Sequence, residues 1–177
     1  MVSHPIITEI DVLVATIAFL RERGVVCYGI SVPRGKGIEK SAAEASAWAA
    51  LGNDIPRTYP FSAEGADIIG ISATEWWKIE CKGSGVGKPQ TQRNNFDRAL
   101  ASAVSYYEEK PTNLPKEYDQ YQNAQPYLGL ALPSSQAYLN ELKRRVRLPL
   151  RKALNLWVLL YESDSKKIRA ISPEDGY

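Results

Sequence analysis

Two short apolar runs, 67–72 (DIIGIS) and 76–82 (WWKIECK), stand three residues apart. Runs this short, rich in isoleucine and tryptophan and split by a polar gap, suit a β-hairpin. The neighbours of that hairpin then narrow the fold. Residues 6–23 place Ile6, Ile10, Leu13, Val14, Ile17 and Leu20 at helical spacing, with Thr8 as a cap and Gly24 as a stop. Residues 25–32 (VVCYGISV) read as a strand, and the alanine-rich 39–51, ended by Gly52, reads as a helix. Beyond the hairpin, 90–109 reads as a long helix with Phe96, Leu100, Ala103, Val104 and Tyr107 on its inner face. Next come a buried strand at 127–132 (YLGLAL), a helix at 135–147, and strands at 155–161 (NLWVLLY) and 167–171. The stretches 53–65, 83–89 and 110–126, rich in proline, glycine or polar residues, read as loops.

Hairpin-like strand pairs interleaved with helices argue for an α/β sandwich, a central mixed sheet flanked by helices. The chain's 177 residues make one domain, 1–177, with a core at 6–132 and a C-terminal helix and strands over 134–177. Its 44% hydrophobic and 24% charged residues are globular values, which excludes a disordered or collagen-like chain.

Composition also removes several chemistries. There is one histidine, His4, and there are two cysteines, Cys27 and Cys81. A disulfide scaffold, a zinc finger and a multi-histidine metal site are therefore excluded. A Ser-His-Asp or Cys-His enzyme would have to take its base from the extreme N-terminus. Metal chemistry, if any, falls to carboxylates, which favours a hard ion such as magnesium. The net charge of +2, from 22 basic and 20 acidic residues, does not by itself define a nucleic-acid binder. Two basic clusters are more informative. One is Lys143, Arg144, Arg145, Arg147, Arg151 and Lys152; the other is Arg34, Lys36 and Lys40, punctuated by glycine. Each reads equally well as a solvated face or as a surface that tracks phosphates. The apolar run 10–20 contains Asp11, lacks a basic leader and is too short to span a bilayer. A soluble cytoplasmic protein with reduced cysteines, and no membrane partner, is expected.

The residues that carry chemistry are Asp67 and the triplet Glu80-Cys81-Lys82. The chain holds four acid-x-lysine triplets: Glu80/Lys82, Glu108/Lys110, Glu141/Lys143 and Asp164/Lys166. Only the first lies inside an apolar strand. Alternation puts Glu80 and Lys82 on one face and Ile79 and Cys81 on the other. Asp67 opens the preceding strand, so hairpin pairing can bring it beside Glu80. Charges next to a core are costly unless they pair or bind a cation. A plain Glu–Lys pair at a sheet end is the alternative, but it leaves Asp67 without a role.

Asp67 followed by Glu80-Cys81-Lys82 resembles the signature of the PD-(D/E)XK nucleases, the restriction-endonuclease-like superfamily, with Ala66 where a proline is usual. The family core, helix–strand–strand–strand–helix–strand, maps to 6–23, 25–32, 67–72, 76–82, 90–109 and 127–132, with 39–51 as an insertion. The resemblance implies a three-layer sandwich and a magnesium-dependent DNA endonuclease, with manganese as a substitute. It implies that Asp67, Glu80 and the main-chain carbonyl of Cys81 hold the metal, and that Lys82 orients water or stabilises the transition state. The product would carry a 5′-phosphate. Many members act as dimers, so a homodimer is in keeping.

Two positions add to the resemblance. Many members carry an acid on the first helix, and Glu9 lies at the edge of the apolar stripe, about 20° beyond Leu20. A helix-dipole role explains Glu9 equally well, and Asp11, Glu39 and Glu44 are rivals. Gln92-x-x-x-Phe96 is similar to the glutamine-x-x-x-tyrosine motif of RecB-type members, which would make Gln92 catalytic. Arg34, Lys36, Lys88 and Arg93 are candidate DNA contacts. A catalytically silent nucleic-acid-binding module is the alternative reading.

Other features fit smaller roles. The loop GSGVGKP fails as a phosphate loop, because Lys82 holds the first glycine position and Pro89 follows Lys88, so no nucleotide cofactor is expected. Its glycines would admit a DNA backbone or simply turn the chain. Trp77 reads as core, as do Trp48 and Trp157. Trp76 shares the Glu80 face, either packed at a sheet edge or free to stack on a base. The Cys81 thiol should point into the core and be inert.

Overall fold

The computed structural model describes residues 6–33, 39–52, 65–84 and 89–177. Its helices are α1 (Glu9–Glu22), α2 (Lys40–Leu51), α3 (Pro89–Ser105), α4 (Gln136–Arg145) and α5 (Leu148–Leu154). Its strands are β1 (Val26–Ile30), β2 (Ile68–Ile71), β3 (Glu75–Cys81), β4 (Gln125–Pro133), β5 (Leu156–Glu162) and β6 (Lys167–Ile171). They form one six-stranded mixed sheet in the order β1-β2-β3-β4-β5-β6. The first three strands run as an antiparallel meander. β3, β4 and β5 are parallel, and β6 returns antiparallel. Parallel neighbours need a crossover, which α3 supplies between β3 and β4, and α4 with α5 between β4 and β5.

Strand alternation builds two cores, one on each face. On one face Ile68, Trp77, Ile79, Cys81, Ala131 and Leu159 pack against Leu13, Ile17 and Leu20 of α1, with Ala43 and Ala47 of α2. On the other, Leu128, Leu130, Leu132, Val158 and Leu160 pack against Phe96, Ala99 and Ala103 of α3 and Tyr138 and Leu142 of α4. The chain is thus α/β with helices on both faces of a mixed sheet, as expected.

Several expectations need correction. α1 begins at Glu9 rather than residue 6, because Thr8 and Asp11 form a reciprocal capping box. α3 ends at Ser105 rather than 109. The buried stripe runs Phe96, Ala99 and Ala103, the half-buried Tyr106 packs against it, and Tyr107 is 45% exposed. The 110–126 segment contains a short 3-10 helix, Lys116–Tyr121, and its Leu114, Tyr118 and Tyr121 pack over Ile71 and Trp76. Trp76 is therefore 2% exposed, its Nε1 3.0 Å from the Tyr28 hydroxyl, and it has no open face for a base. α5 was hidden in the basic run; Pro149 suits its first turn, and Asn155 closes it in the left-handed region.

That basic run does not act as one surface. Arg151 is 1% exposed, donates to the carbonyls of Ser172 and Asp175, and lies over the Tyr177 ring, where it ties down the C-terminal segment. Lys152 pairs with Glu174 at 2.5 Å. Among the described residues no helix is long and apolar enough to cross a membrane.

Candidate active site

The hairpin register carries the first two acids together. Ile68 pairs with Ile79, so one step further Asp67 stands opposite Glu80. The Asp67 carboxylate accepts a hydrogen bond from the Cys81 amide at 2.7 Å, which anchors it across the strand end. Glu80 is 7% exposed, and its Oε2 accepts from the Tyr106 hydroxyl at 2.8 Å. Lys82 follows the last residue of β3 on the Glu80 side. Its ammonium is 3.0 Å from Glu9 and 3.7 Å from Glu80.

Glu9 reaches Lys82 because the chain after the strand is locked to the start of α1. Ser84 donates its amide to the Ile7 carbonyl at 2.7 Å. A Cβ on Gly83 would lie 2.6 Å from the Glu9 amide nitrogen and 2.8 Å from the Ile7 oxygen. Only glycine allows that approach without movement. The Gly83 carbonyl in turn accepts from the Tyr138 hydroxyl of α4 at 2.9 Å. Gly83 is therefore a packing joint between α1, β3 and α4, which the loop reading of 83–89 missed. Gly85, Gly87 and Lys88 of that loop lie outside the described residues.

The electrostatics follow from three carboxylates gathered around one ammonium. Burial and the neighbouring Glu80 push the Asp67 carboxyl up to about 8, against the hydrogen bond from Cys81. Burial also raises Glu80, although Tyr106 and Lys82 oppose it. Burial alone would lower Lys82; Glu9, Glu80 and Asp67 outweigh it and hold the ammonium charged. The Cys81 thiol is fully buried and raised far above its usual range by burial and the surrounding acids, so it is inert.

Among the rival acids, Asp11 is spent on the α1 cap, accepting from the Thr8 amide at 2.8 Å and its hydroxyl at 2.6 Å. Glu39 accepts from Ser41, and Glu44 pairs with Lys40 along α2. Of the four acids, Glu9 alone contacts the Asp67–Glu80–Lys82 group. Gln92 is half-buried and lines a cleft between α3 and α4 with Arg93, Tyr138 and Glu141. Arg93 lies 3.7 Å from Glu141 there. Arg34, Lys36 and Lys88 lie outside the described residues.

Sequence reasoning missed Tyr106, Tyr138 and Gly83. Tyr106 had a signal: it continues the Phe96–Ala99–Ala103 stripe three residues on, at helical spacing. Tyr138 and Gly83 had none, since their contacts are with elements distant in sequence.

Among the described residues no group of three or more His, Cys, Asp and Glu side chains is arranged to hold a metal ion. The donor chemistry of Asp67 and Glu80 nevertheless fits one. Two opposed carboxylates, both resisting ionisation through burial, would be relieved by a divalent cation, and an all-oxygen set would suit magnesium. Magnesium commonly uses one or two carboxylates and completes its shell with water and substrate phosphate. No family model, no curated protein and no solved structure matches this chain.

Proposed function

We propose that this chain is a metal-dependent DNA endonuclease of the PD-(D/E)XK kind, acting in restriction, repair or mobile-element processing. One observation carries the reading: Asp67 faces Glu80 at the end of an antiparallel hairpin, with Lys82 two residues on and Glu9 brought to it by α1. The strand order, with a meander followed by a helical crossover to a parallel strand, supports it.

Asp67 and Glu80 would hold a magnesium ion, with the Cys81 carbonyl as the resemblance implies. The chemistry such an ion supplies when bound is polarisation of the scissile phosphate and acidification of water. The Lys82 ammonium balances the negative charge that develops on the phosphate as the bond breaks. Glu9 keeps that ammonium charged and aimed at the strand end. Tyr106 fixes the rotamer of Glu80, so the carboxylate loses little freedom on taking up its ligand.

The test is cleavage of plasmid and linear duplex DNA with magnesium, manganese or chelator, comparing the parent with Glu80→Ala. Metal-dependent nicking that Glu80→Ala abolishes is expected, with DNA affinity retained. Equal nicking by Glu80→Ala would remove Glu80 from the mechanism. A second reading, a silent nucleic-acid-binding module, draws on the direct pairing of Lys82 with Glu9 and Glu80. DNA binding without cleavage under any divalent metal would establish it.

A further inference from the structure

The cleft between α3 and α4 is separate from the acids but joined to them. It has a volume of about 350 Å³ and is lined by Gln92, Arg93, Tyr138, Asn140, Glu141 and Arg144. Tyr138 forms part of its wall and also holds the Gly83 carbonyl, one residue beyond Lys82. One wall of the cleft is thus tied to the segment that follows Lys82.

Its chemistry is that of an anion site with a built-in organiser. Glu141 is 14% exposed at its side chain and contacts three guanidiniums: Arg93 at 3.7 Å, Arg144 at 2.8 Å and Arg145 at 2.9 Å. Arg145 is committed on two sides, since it also meets Asp97 and covers the Phe96 ring. Arg93 and Arg144 are different. Both are more than half exposed, and each turns only one of its nitrogens to Glu141. The remaining N–H groups of each fork are available to a ligand. Asn140 uses its Oδ1 to accept from Gln136, which leaves its amide N–H groups as donors. Gln92 has no hydrogen-bond partner among the described residues. Two guanidinium forks and the N–H groups of two amides converge at one cleft beside the Glu141 carboxylate, and guanidinium forks suit the oxygens of a phosphate. The carboxylate of Glu141 holds the forks in place beforehand, so less side-chain freedom is lost on binding.

We propose that this cleft binds a backbone phosphodiester of the nucleic-acid strand whose neighbouring phosphate is presented to Asp67, Glu80 and Lys82. The proposal rests on the nuclease reading and gives it a strand path: over α3 and α4, past Tyr138 and Gly83, to the end of β3. Arg93 and Arg144 are its anchors, and Gln92 acts in binding.

The experiment is fluorescence anisotropy of a labelled 20-nucleotide DNA, single-stranded and duplex, titrated in calcium with the full chain across a salt series. Four proteins are compared: the parent, Glu80→Ala, Arg93→Ala/Arg144→Ala and Arg144→Lys. The double variant should bind about tenfold or more weakly and lower the salt slope by about two. Circular dichroism should show its melting unchanged, since both side chains are exposed. Arg144→Lys should keep the slope and lose part of the affinity, because it retains charge without the fork. An unchanged affinity and slope in the double variant overturns the cleft and leaves the nuclease reading standing if the parent still cuts. A parent that neither binds nor cuts overturns both. Oligonucleotides with 5′-phosphate and 5′-hydroxyl ends separate two phosphate sources. Equal loss for both is expected; loss confined to the phosphorylated strand would overturn the phosphodiester assignment in favour of a terminal phosphate.

Discussion

β3 is charged at both ends, and the two ends are built differently. At its start, Glu75 takes Arg23 at 2.5 Å and the Trp77 indole at 2.9 Å. The Arg23 guanidinium lies 5.3 to 5.8 Å from the Phe19, Trp77 and Trp157 ring centres. In the middle, Lys78 pairs with Glu108 at 2.7 Å. Every charge there has one opposite charge, and aromatic rings fill the rest of the space. At the far end, Asp67, Glu80 and Glu9 gather around Lys82 alone. The first arrangement is what a strand end needs to be stable. The second leaves acid in excess in a half-buried place, where it raises the energy of the folded chain. A divalent cation beside a phosphate, as proposed above, would remove that cost.

The sharpest break between the two ends should come from Lys82→Ala. Loss of its charge opposite a reacting phosphate is expected to lower cleavage by about 100- to 1,000-fold while DNA affinity changes far less. A single-turnover assay at saturating protein measures it. If cleavage falls no further than for Lys78→Ala, the far end holds no special role.

The next largest effect is on stability and its dependence on pH. Asp67 has a folded-state pKa raised from 3.8 to about 8. A carboxyl raised on folding prefers the protonated native state, so its favourable share is complete below the unfolded value and is lost as pH rises from 3.8 towards 8. Asp67→Asn should therefore raise the melting temperature at pH 9 by several degrees, on the order of 2 kcal/mol, and change it little at pH 4. Magnesium should stabilise the parent more at pH 9 than at pH 5, because protons and cation compete for the same oxygens, and chelator should reverse the gain. Melting curves across pH measure both. No metal-dependent shift at pH 9 would remove the cation from the picture.

Gly83→Ala probes the joint rather than the charges. Its Cβ would press within 2.6 Å of the Glu9 amide, so α1 or the 82–84 segment must shift, at about 1–3 kcal/mol. Cleavage should fall with stability, since the shift moves Glu9 from Lys82. Stability unchanged on substitution would mean that the contact relaxes freely. The smallest effect is expected at the balanced end. Arg23→Ala should cost about 1–2 kcal/mol through lost ring contacts and one ion pair, with cleavage per folded molecule unchanged. Denaturant unfolding and the nicking assay together check it; a large loss of cleavage would show that the two ends are coupled.

The helices and strands were legible in the residues because their signals are local. Thr8 and Asp11 cap α1 within one turn, and the isoleucine and tryptophan runs declare the hairpin. α5 was not legible, since seven residues inside a basic run carry almost no period. Tyr106 and Tyr107 both lie near the stripe, and only packing on the sheet decides which one faces in. The pairing of Asp67 with Glu80 was readable from hairpin geometry. The choice of Glu9 over Asp11, Glu39 and Glu44 was not readable.

The sequence by itself therefore determined the strands and the longer helices, α5 and the short 3-10 helix apart, and that Glu80 and Lys82 share a face apart from Cys81. Those properties depend on spacing of 2 or 3.6 residues along one element. Tertiary structure decided which acid meets Lys82, that Tyr106 holds Glu80, that Trp76 is covered, and that Gln92 belongs to a neighbouring cleft. Each of these depends on how α1, α3 and α4 lie on the sheet. Glu9 and Lys82 are 73 residues apart in sequence, and only the close approach at Gly83 and the packing of both cores bring them to 3.0 Å.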